Sequence, residues 1–114
     1  MCRGYRLLVP DTRYVPRSYT LDYHDYGKKE SVRWLDDADL DGLELDRLGA
    51  AKLQHDVAVR IHRQVSKRYF SLRHYAEHTG QRYERLARVL RGEIVMRLDD
   101  VANANRHLDL ELLN

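Results

Sequence analysis

Apolar residues recur at every fourth position along the middle of the chain. The positions are Leu53, Val57, Ile61, Val65 and Tyr69, and four basic residues stand between Val57 and Tyr69. This spacing is typical of a helix that turns one face to a core and the other to solvent. We therefore predict a long basic helix that begins at about residue 50.

A second, shorter helix is predicted directly after it. Ser71 is a residue type that favours the N-cap position, and Phe70 and Tyr75 have the spacing of a hydrophobic staple around that cap. The helix is expected to span residues 72–78. Ala76 within it is small enough for close approach of a neighbouring helix.

Glycines mark the turn and the end of a third helix. Gly80 suits a left-handed turn residue, and Gly92 suits the residue that ends a helix over residues 82–91. A fourth helix follows, with an apolar face predicted at Leu98, Val101, Ala102, Asn105 and Leu108.

The acidic segment 36–46 is open to two interpretations. From Asp37 it reproduces the D-x-D-x-D-G opening of a calcium loop, but the twelfth position, which should carry a bidentate carboxylate, is Leu48. The favoured alternative is a short helix in which Leu40, Leu43 and Leu48 share a face. Its acidic first turn suits the helix dipole, and Gly49 is expected to end it.

Residues 1–35 differ in character from the rest of the chain. They contain both prolines and five tyrosines, and the stretch YTLDYHDY has a loose period of two. Because Pro16 confines any strand around it to an edge, we expect an extended or short-β arm or a small hairpin. The chain is therefore predicted to be mainly α, with this arm at 1–35 and one compact helical domain at 36–114.

Length and apolar content limit the class of protein. A chain of 114 residues is about one domain, and Cys2 is its single cysteine, so no internal disulfide is available. No apolar stretch reaches the length of a membrane span, and the first residues lack the pattern of a signal peptide. A cytoplasmic protein without membrane association is the expectation.

Charge is segregated along the chain although the net charge is only +2. Segment 36–46 has six acids and no base, whereas residues 60–97 have ten bases and three acids. This asymmetry favours a basic face that meets a polyanion. The alternative is that the two blocks pair with each other.

The stretch SLRHYAEHTGQRYERLARVLRG, residues 71–92, has the features of a helix-turn-helix. This motif requires a small residue in the first helix, a glycine in the turn and two apolar anchors in the second helix. The sequence supplies them as Ala76, Gly80, Leu86 and Val89. With the anchors buried, the outward face or its edges carry Arg82, Tyr83, Arg85 and Arg88.

These residues and their spacing resemble the Cro and phage-repressor family, also called XRE-like. The resemblance covers about residues 57–110 and rests on Ser71, Tyr75 and Ala76, Gly80, Leu86 and Val89, the string RGE at 91–93, and LDDVANANRHLDL. It implies a compact helical DNA-binding domain that works, usually as a dimer on a palindromic operator, to control transcription.

The resemblance also implies which residues contact DNA. Base-reading positions fall on Arg82, Tyr83, Glu84 and Arg88, with Arg85 between them. Phosphate-contacting positions fall on Ser71, Leu72, Arg73 and Arg91. Three positions depart from the family pattern: Leu72 stands where glutamine is common, Thr79 where an apolar residue is usual, and Gln81 replaces a small cap and is itself a candidate DNA contact. Arginine grips guanine O6 and N7, Glu84 is suited to accept from cytosine N4, and Tyr83 is suited to a thymine methyl or a phosphate.

Catalysis and metal binding are not expected. The six histidines are scattered, and the pair His74 and His78, at i and i+4, has no third ligand nearby in sequence. No nucleophile motif or phosphate-binding glycine loop is present. We expect a protein that is not an enzyme and that needs no cofactor.

A protein-interaction module is the competing hypothesis. An antitoxin-like or accessory regulator would bind a protein partner through its acidic segment and its C-terminal leucines, and the acidic segment would mask the basic helices if it folded over them. Salt-dependent binding to random duplex separates the two functions. Both a homodimer and a monomer that uses arm and helix in adjacent grooves are compatible with the sequence.

Overall fold

The computed structural model describes residues 14–110, and within them the chain is mainly helical, as predicted. The described residues form four α-helices and no strand. We number the helices α1, Gly42–Arg68; α2, Leu72–His78; α3, Tyr83–Leu90; and α4, Leu98–Leu108. Cys2 and two of the C-terminal leucines, Leu112 and Leu113, lie outside the described residues.

Helix α1 is longer than the sequence suggested. Asp41 caps it by accepting a hydrogen bond from the backbone N–H of Glu44 at 2.9 Å. The expected stop at Gly49 is wrong, because the positive-φ glycines of the described residues are Gly27, Gly80 and Gly92, and Gly49 is not among them. Leu48 and Ala51 are buried on either side, so tertiary packing holds this stretch in the helix.

The buried face of α1 is only partly the one predicted. Ile61 and Val65 are buried, but Leu53 is 71% exposed, so its assignment to the core was wrong. A strict four-residue repeat advances around a helix by about 40° per step, which places Leu53 about 80° away from Ile61. Gln54 takes the interior position and bonds to the backbone of the α3–α4 region.

The main core lies where α1, α2, α3 and α4 meet. Each helix contributes small or aliphatic side chains, and the fully or nearly buried members are Ala58, Ile61, Val65, Tyr75, Ala76, Leu86, Leu90, Ala104 and Leu108. On α4, Leu98 was expected to face this core and is 78% exposed. At about 100° per residue, Leu98 lies about 60–120° around the helix from the buried Val101, Ala104 and Leu108.

Residues 14–35 pack against the N-terminal half of α1. They form 3₁₀ turns at Pro16–Tyr19 and Tyr23–Asp25, and one antiparallel bridge joins Thr20 to Trp34. Tyr26 is 1% exposed and donates a hydrogen bond to the Ala51 carbonyl at 2.6 Å. Within the described residues, the predicted short-β arm is therefore limited to this bridge, and residues 1–13 lie outside them.

Candidate nucleic-acid interface

Helix α2 begins at a hydroxyl cap, as predicted. Ser71 Oγ accepts a hydrogen bond from the backbone N–H of His74 at 3.0 Å. The predicted hydrophobic staple is wrong, because Phe70 is 96% exposed and Tyr69 packs on Tyr75 in its place, with ring centroids 5.2 Å apart. The Ser71 hydroxyl is consequently committed to the cap.

The turn between α2 and α3 is closed by local hydrogen bonds. Gly80 has φ of 74°, a left-handed conformation that glycine adopts without steric cost. The backbone N–H of Gln81 donates to the Ala76 carbonyl at 2.8 Å, which ends α2 in the manner of a Schellman motif. Thr79 also donates its hydroxyl hydrogen to the Tyr75 carbonyl at 2.9 Å. These bonds fix the angle at which α3 leaves the turn.

The side chain of Gln81 points to α4. Its amide nitrogen donates to Thr79 Oγ1 at 2.8 Å and to Asn103 Oδ1 at 3.1 Å. Asn103 Oδ1 also accepts from the Tyr75 hydroxyl at 2.9 Å. This candidate DNA contact is therefore part of a polar network that ties the turn to α4.

Helix α3 has one buried face and one exposed face. Leu86 and Val89 are buried, as predicted, and Ala87 and Leu90 are buried beside them. Glu84 and Arg88 are exposed and, at i and i+4, lie on the same side of the helix. Among the candidate base readers, Glu84, Arg88 and the N-cap residue Arg82 are exposed, whereas Tyr83 is half-buried.

Arg85 binds another helix. Its guanidinium donates to both carboxylate oxygens of Asp100, at 2.8 Å each. Burial of Asp100 raises its pKa. The hydrogen bonds from the Arg85 guanidinium and from the backbone N–H of Arg97 outweigh that effect, so the pKa is lowered. The Asp100 hydrogen bond raises the pKa of Arg85 in turn. The pair joins α3 to the first turn of α4.

Arg73 and Tyr83 bring the start of α2 against the start of α3. The Arg73 guanidinium lies over the Tyr83 ring at 4.2 Å from its centroid, within the range of a cation–π contact. Tyr83 is half-buried and packs on the main core. This corner therefore presents an exposed guanidinium, Arg73, supported by the Tyr83 ring.

Glu93 gathers the arginines at the end of α3. Its carboxylate lies 2.5 Å from Arg91 Nε, 3.5 Å from Arg88 Nε and 3.9 Å from Arg17. The Arg91 hydrogen bond lowers the pKa of Glu93, so the carboxylate is charged at neutral pH. The positive charge at this end of α3 is thus partly neutralised.

Residues 14–35 support the same end of α3. Gly92 has φ of 76°, and a Cβ there would lie 2.6 Å from two ring carbons of Tyr26. The Gly92 carbonyl accepts a hydrogen bond from the backbone N–H of Arg17 at 2.9 Å. Gly92 is needed both for its backbone conformation and for the close approach of Tyr26.

A polar cleft of about 570 Å³ lies between the α2–α3 turn and α4. Arg82, which is exposed at the N-cap of α3, lines it together with Arg85 and Gln81. Arg106 of α4 lines the opposite side. Three of the candidate DNA contacts therefore face this cleft.

The nine candidate residues form three groups. The first is the corner of Ser71, Arg73 and Tyr83; the second is the outward and terminal set Glu84, Arg88 and Arg91; the third is the cleft set Gln81, Arg82 and Arg85. Sequence reasoning missed the importance of Asp100, Asn103, Arg106 and Glu93. Glu93 had a local signal, since it directly follows the last arginine and glycine of α3, and Asp100 had one as an acidic residue in the first turn of a helix.

The described residues form neither a metal-binding cluster nor a membrane-spanning helix. Among residues 14–110, no group of three or more histidine, cysteine, aspartate or glutamate side chains has a metal-binding arrangement. The rings of His74 and His78 lie 6.2 Å apart; both contact Tyr69, and His74 also contacts Phe70. None of the helices in this part of the chain has the length and apolar character to span a membrane.

Comparisons of the chain with protein-family models, curated proteins and solved structures give no match.

Proposed function

We propose that this chain is a sequence-specific double-stranded DNA-binding transcriptional regulator, of the phage-repressor type, and that α3 enters the major groove. The observation that supports this most is the geometry around Gly80. A left-handed turn joins two short helices, and α3 buries four residues on one face while Glu84 and Arg88 remain exposed on the other. A recognition helix needs this combination of an anchored and a free face.

Glu84 and Arg88 are the proposed base readers. Arg88 is 54% exposed, and its one ion pair within the described residues is with Glu93, at 3.5 Å. An exposed ion pair of this kind contributes little stability, about 0–1 kcal/mol, so Arg88 leaves Glu93 at low cost when a guanine is available. When Arg88 turns to a base, Glu93 still has Arg91 as its partner, with Nε at 2.5 Å.

Arg73 and Arg91 are the proposed phosphate contacts. Arg73 is held against Tyr83 at the start of α2 and α3, and Arg91 stands at the C-terminal end of α3. Contacts at both ends of a recognition helix set its register in the groove without reading sequence. Ser71 contributes by capping α2, and Arg85 and Gln81 contribute by fixing α3 on α4.

Single substitutions separate these roles. With an operator selected from random duplex, we expect Arg88→Ala to relax the base preference at one position by about 1–3 kcal/mol. Arg73→Ala should weaken binding to all sequences alike. Arg60→Ala, which removes the same charge from the exposed Arg60–Asp56 pair of α1, is the control.

Fluorescence anisotropy on matched and mismatched duplexes measures both effects. If Arg88→Ala binds the same sequences as the parent with unchanged affinity, the assignment of α3 as a reader is wrong. If Arg60→Ala weakens binding as much as Arg73→Ala, the basic charge acts without a defined contact surface.

Protein interaction remains the second candidate, and one feature favours it. Leu43 and Leu45 are 60% and 41% exposed in the first turn of α1, within the acidic segment 36–46. This end of α1 packs on Leu35 and Leu40, whereas α2 and α3 pack on its other half. Because α1 has 27 residues, its two ends are separated by about 40 Å.

The ion pairs of the described residues argue against masking of α3 by the acidic segment. The arginines of α1 and α3 that form ion pairs have their acidic partners outside segment 36–46, at Glu30, Asp56, Glu93 and Asp100. A protein partner at the acidic end would therefore leave α3 free. If Leu43→Ser abolishes binding of a protein partner and leaves the affinity for DNA unchanged, the acidic end of α1 is such a second surface.

A further inference from the structure

The cleft between the α2–α3 turn and α4 has an excess of positive charge. Four arginines and two aspartates line it, namely Arg82, Arg85, Arg97, Arg106, Asp99 and Asp100. Its volume of about 570 Å³ lies within the range of small-molecule sites, about 300–1,000 Å³. The cleft is thus large enough for a small anion.

The two aspartates do not neutralise all four arginines. Asp100 accepts both hydrogen bonds of Arg85 and a third from the backbone N–H of Arg97 at 2.9 Å. Asp99 is 73% exposed and lies 3.3 Å from Arg97. Within residues 14–110, Arg82 and Arg106 form no ion pair, so their guanidinium groups remain available.

An amide donor lies in the same cleft. The Tyr75 hydroxyl and the Gln81 amide nitrogen both donate to Asn103 Oδ1, which fixes the orientation of the Asn103 amide. Its nitrogen then has no acceptor within the described residues. Since no buried side-chain nitrogen or oxygen there lacks a partner, the Asn103 nitrogen must reach solvent in the cleft.

We infer that this cleft binds an oxyanion, a phosphoryl group of a small molecule, between Arg82, Arg106 and the Asn103 amide. Guanidinium groups match the geometry of phosphate oxygens and form short charge-assisted hydrogen bonds with them. A concave site of this volume can enclose a free phosphorylated molecule. The inference does not depend on whether the chain binds DNA.

Inorganic pyrophosphate is the probe, titrated into the full chain by calorimetry at constant ionic strength. We expect saturable binding to the parent that Arg82→Gln and Arg106→Gln each weaken about tenfold, the effect of losing one charge-assisted contact. Arg68→Gln is the matched control. It removes the same charge from an exposed position at the end of α1, outside the cleft, and should change binding less than about twofold.

The duplex arm distinguishes the source of the oxyanion. Arg106→Gln and Arg68→Gln are compared for affinity to random duplex, with circular dichroism to confirm that each variant is folded. If pyrophosphate does not bind but Arg106→Gln alone weakens duplex binding, the small-molecule site is overturned and Arg106 is instead a contact to the DNA backbone. Equal pyrophosphate affinity in all variants, or no effect of Arg106→Gln on either ligand, would overturn the inference.

Discussion

Asp100→Ala tests whether the Arg85 side chain supports α3 or is free to read bases. The Asp100 carboxylate is 7% exposed and accepts two hydrogen bonds from Arg85 and one from the Arg97 N–H. Loss of the charged bonds costs about 2 kcal/mol, and loss of the bond at the start of α4 costs about 1 kcal/mol. We therefore expect Asp100→Ala to lower the free energy of unfolding by about 3 kcal/mol. This value is at the low end of the range for breaking a buried ion pair, because Arg85 is 26% exposed and its guanidinium regains some hydration.

Urea denaturation followed by circular dichroism at 222 nm measures this change. Asp99→Ala is the matched control, since Asp99 is the preceding residue of α4 and its pair with Arg97 is exposed, so we expect a change of about 0.5 kcal/mol. A double-mutant cycle with Arg85→Ala should give a coupling energy of about 1–2 kcal/mol. If Asp100→Ala and Asp99→Ala are equally stable, Arg85 is not fixed by this pair and the reasoning is refuted.

Three further predictions concern stability, each measured by urea denaturation. The pKa of Asp100 is lowered in the folded state, so its charge stabilises the fold above about pH 4, the unfolded value, and this contribution is lost as pH falls through the folded pKa. The excess stability of the parent over Asp100→Asn should therefore narrow as the pH falls below about 4, and a constant difference would contradict this. Gly92→Ala should lower the free energy of unfolding by about 2 kcal/mol, because φ is 76° and the added Cβ would lie 2.6 Å from Tyr26. Gly49→Ala, in a helix with open space around it, should raise the free energy of unfolding by about 0.5–1 kcal/mol. The reverse order would refute both placements. Gln54→Leu should cost about 2 kcal/mol because three backbone groups lose a buried partner, and a neutral result would show that this amide is dispensable.

The helices around the turn could be predicted because their signals are local. Ser71 caps α2, Gly80 takes the left-handed conformation and Gly92 ends α3, and each of these depends only on a few neighbouring residues. Gly49 shows the limit of such signals. The same residue type stays helical there because the flanking residues are buried in tertiary packing that no local pattern encodes.

The placement of the arginines could be predicted only in part. Burial of Leu86 and Val89 correctly indicated which face of α3 is free, and this places Arg88 outward. Arg85 lies at the edge of that face, where its direction depends on Asp100, fifteen residues away on another helix. Pairings at that separation leave no periodic trace in the sequence, and only the fold brings the two side chains together.

Duplex binding by the full chain, measured by anisotropy over a salt series, tests the central claim most directly. We predict binding to random-sequence duplex whose affinity falls steeply with salt, with a log–log slope of about −0.9 for each phosphate neutralised, and selection from a random pool should enrich one motif. A chain that shows no affinity for duplex at low salt, or an affinity that salt does not change, would contradict the assignment of α3 as a DNA-recognition helix.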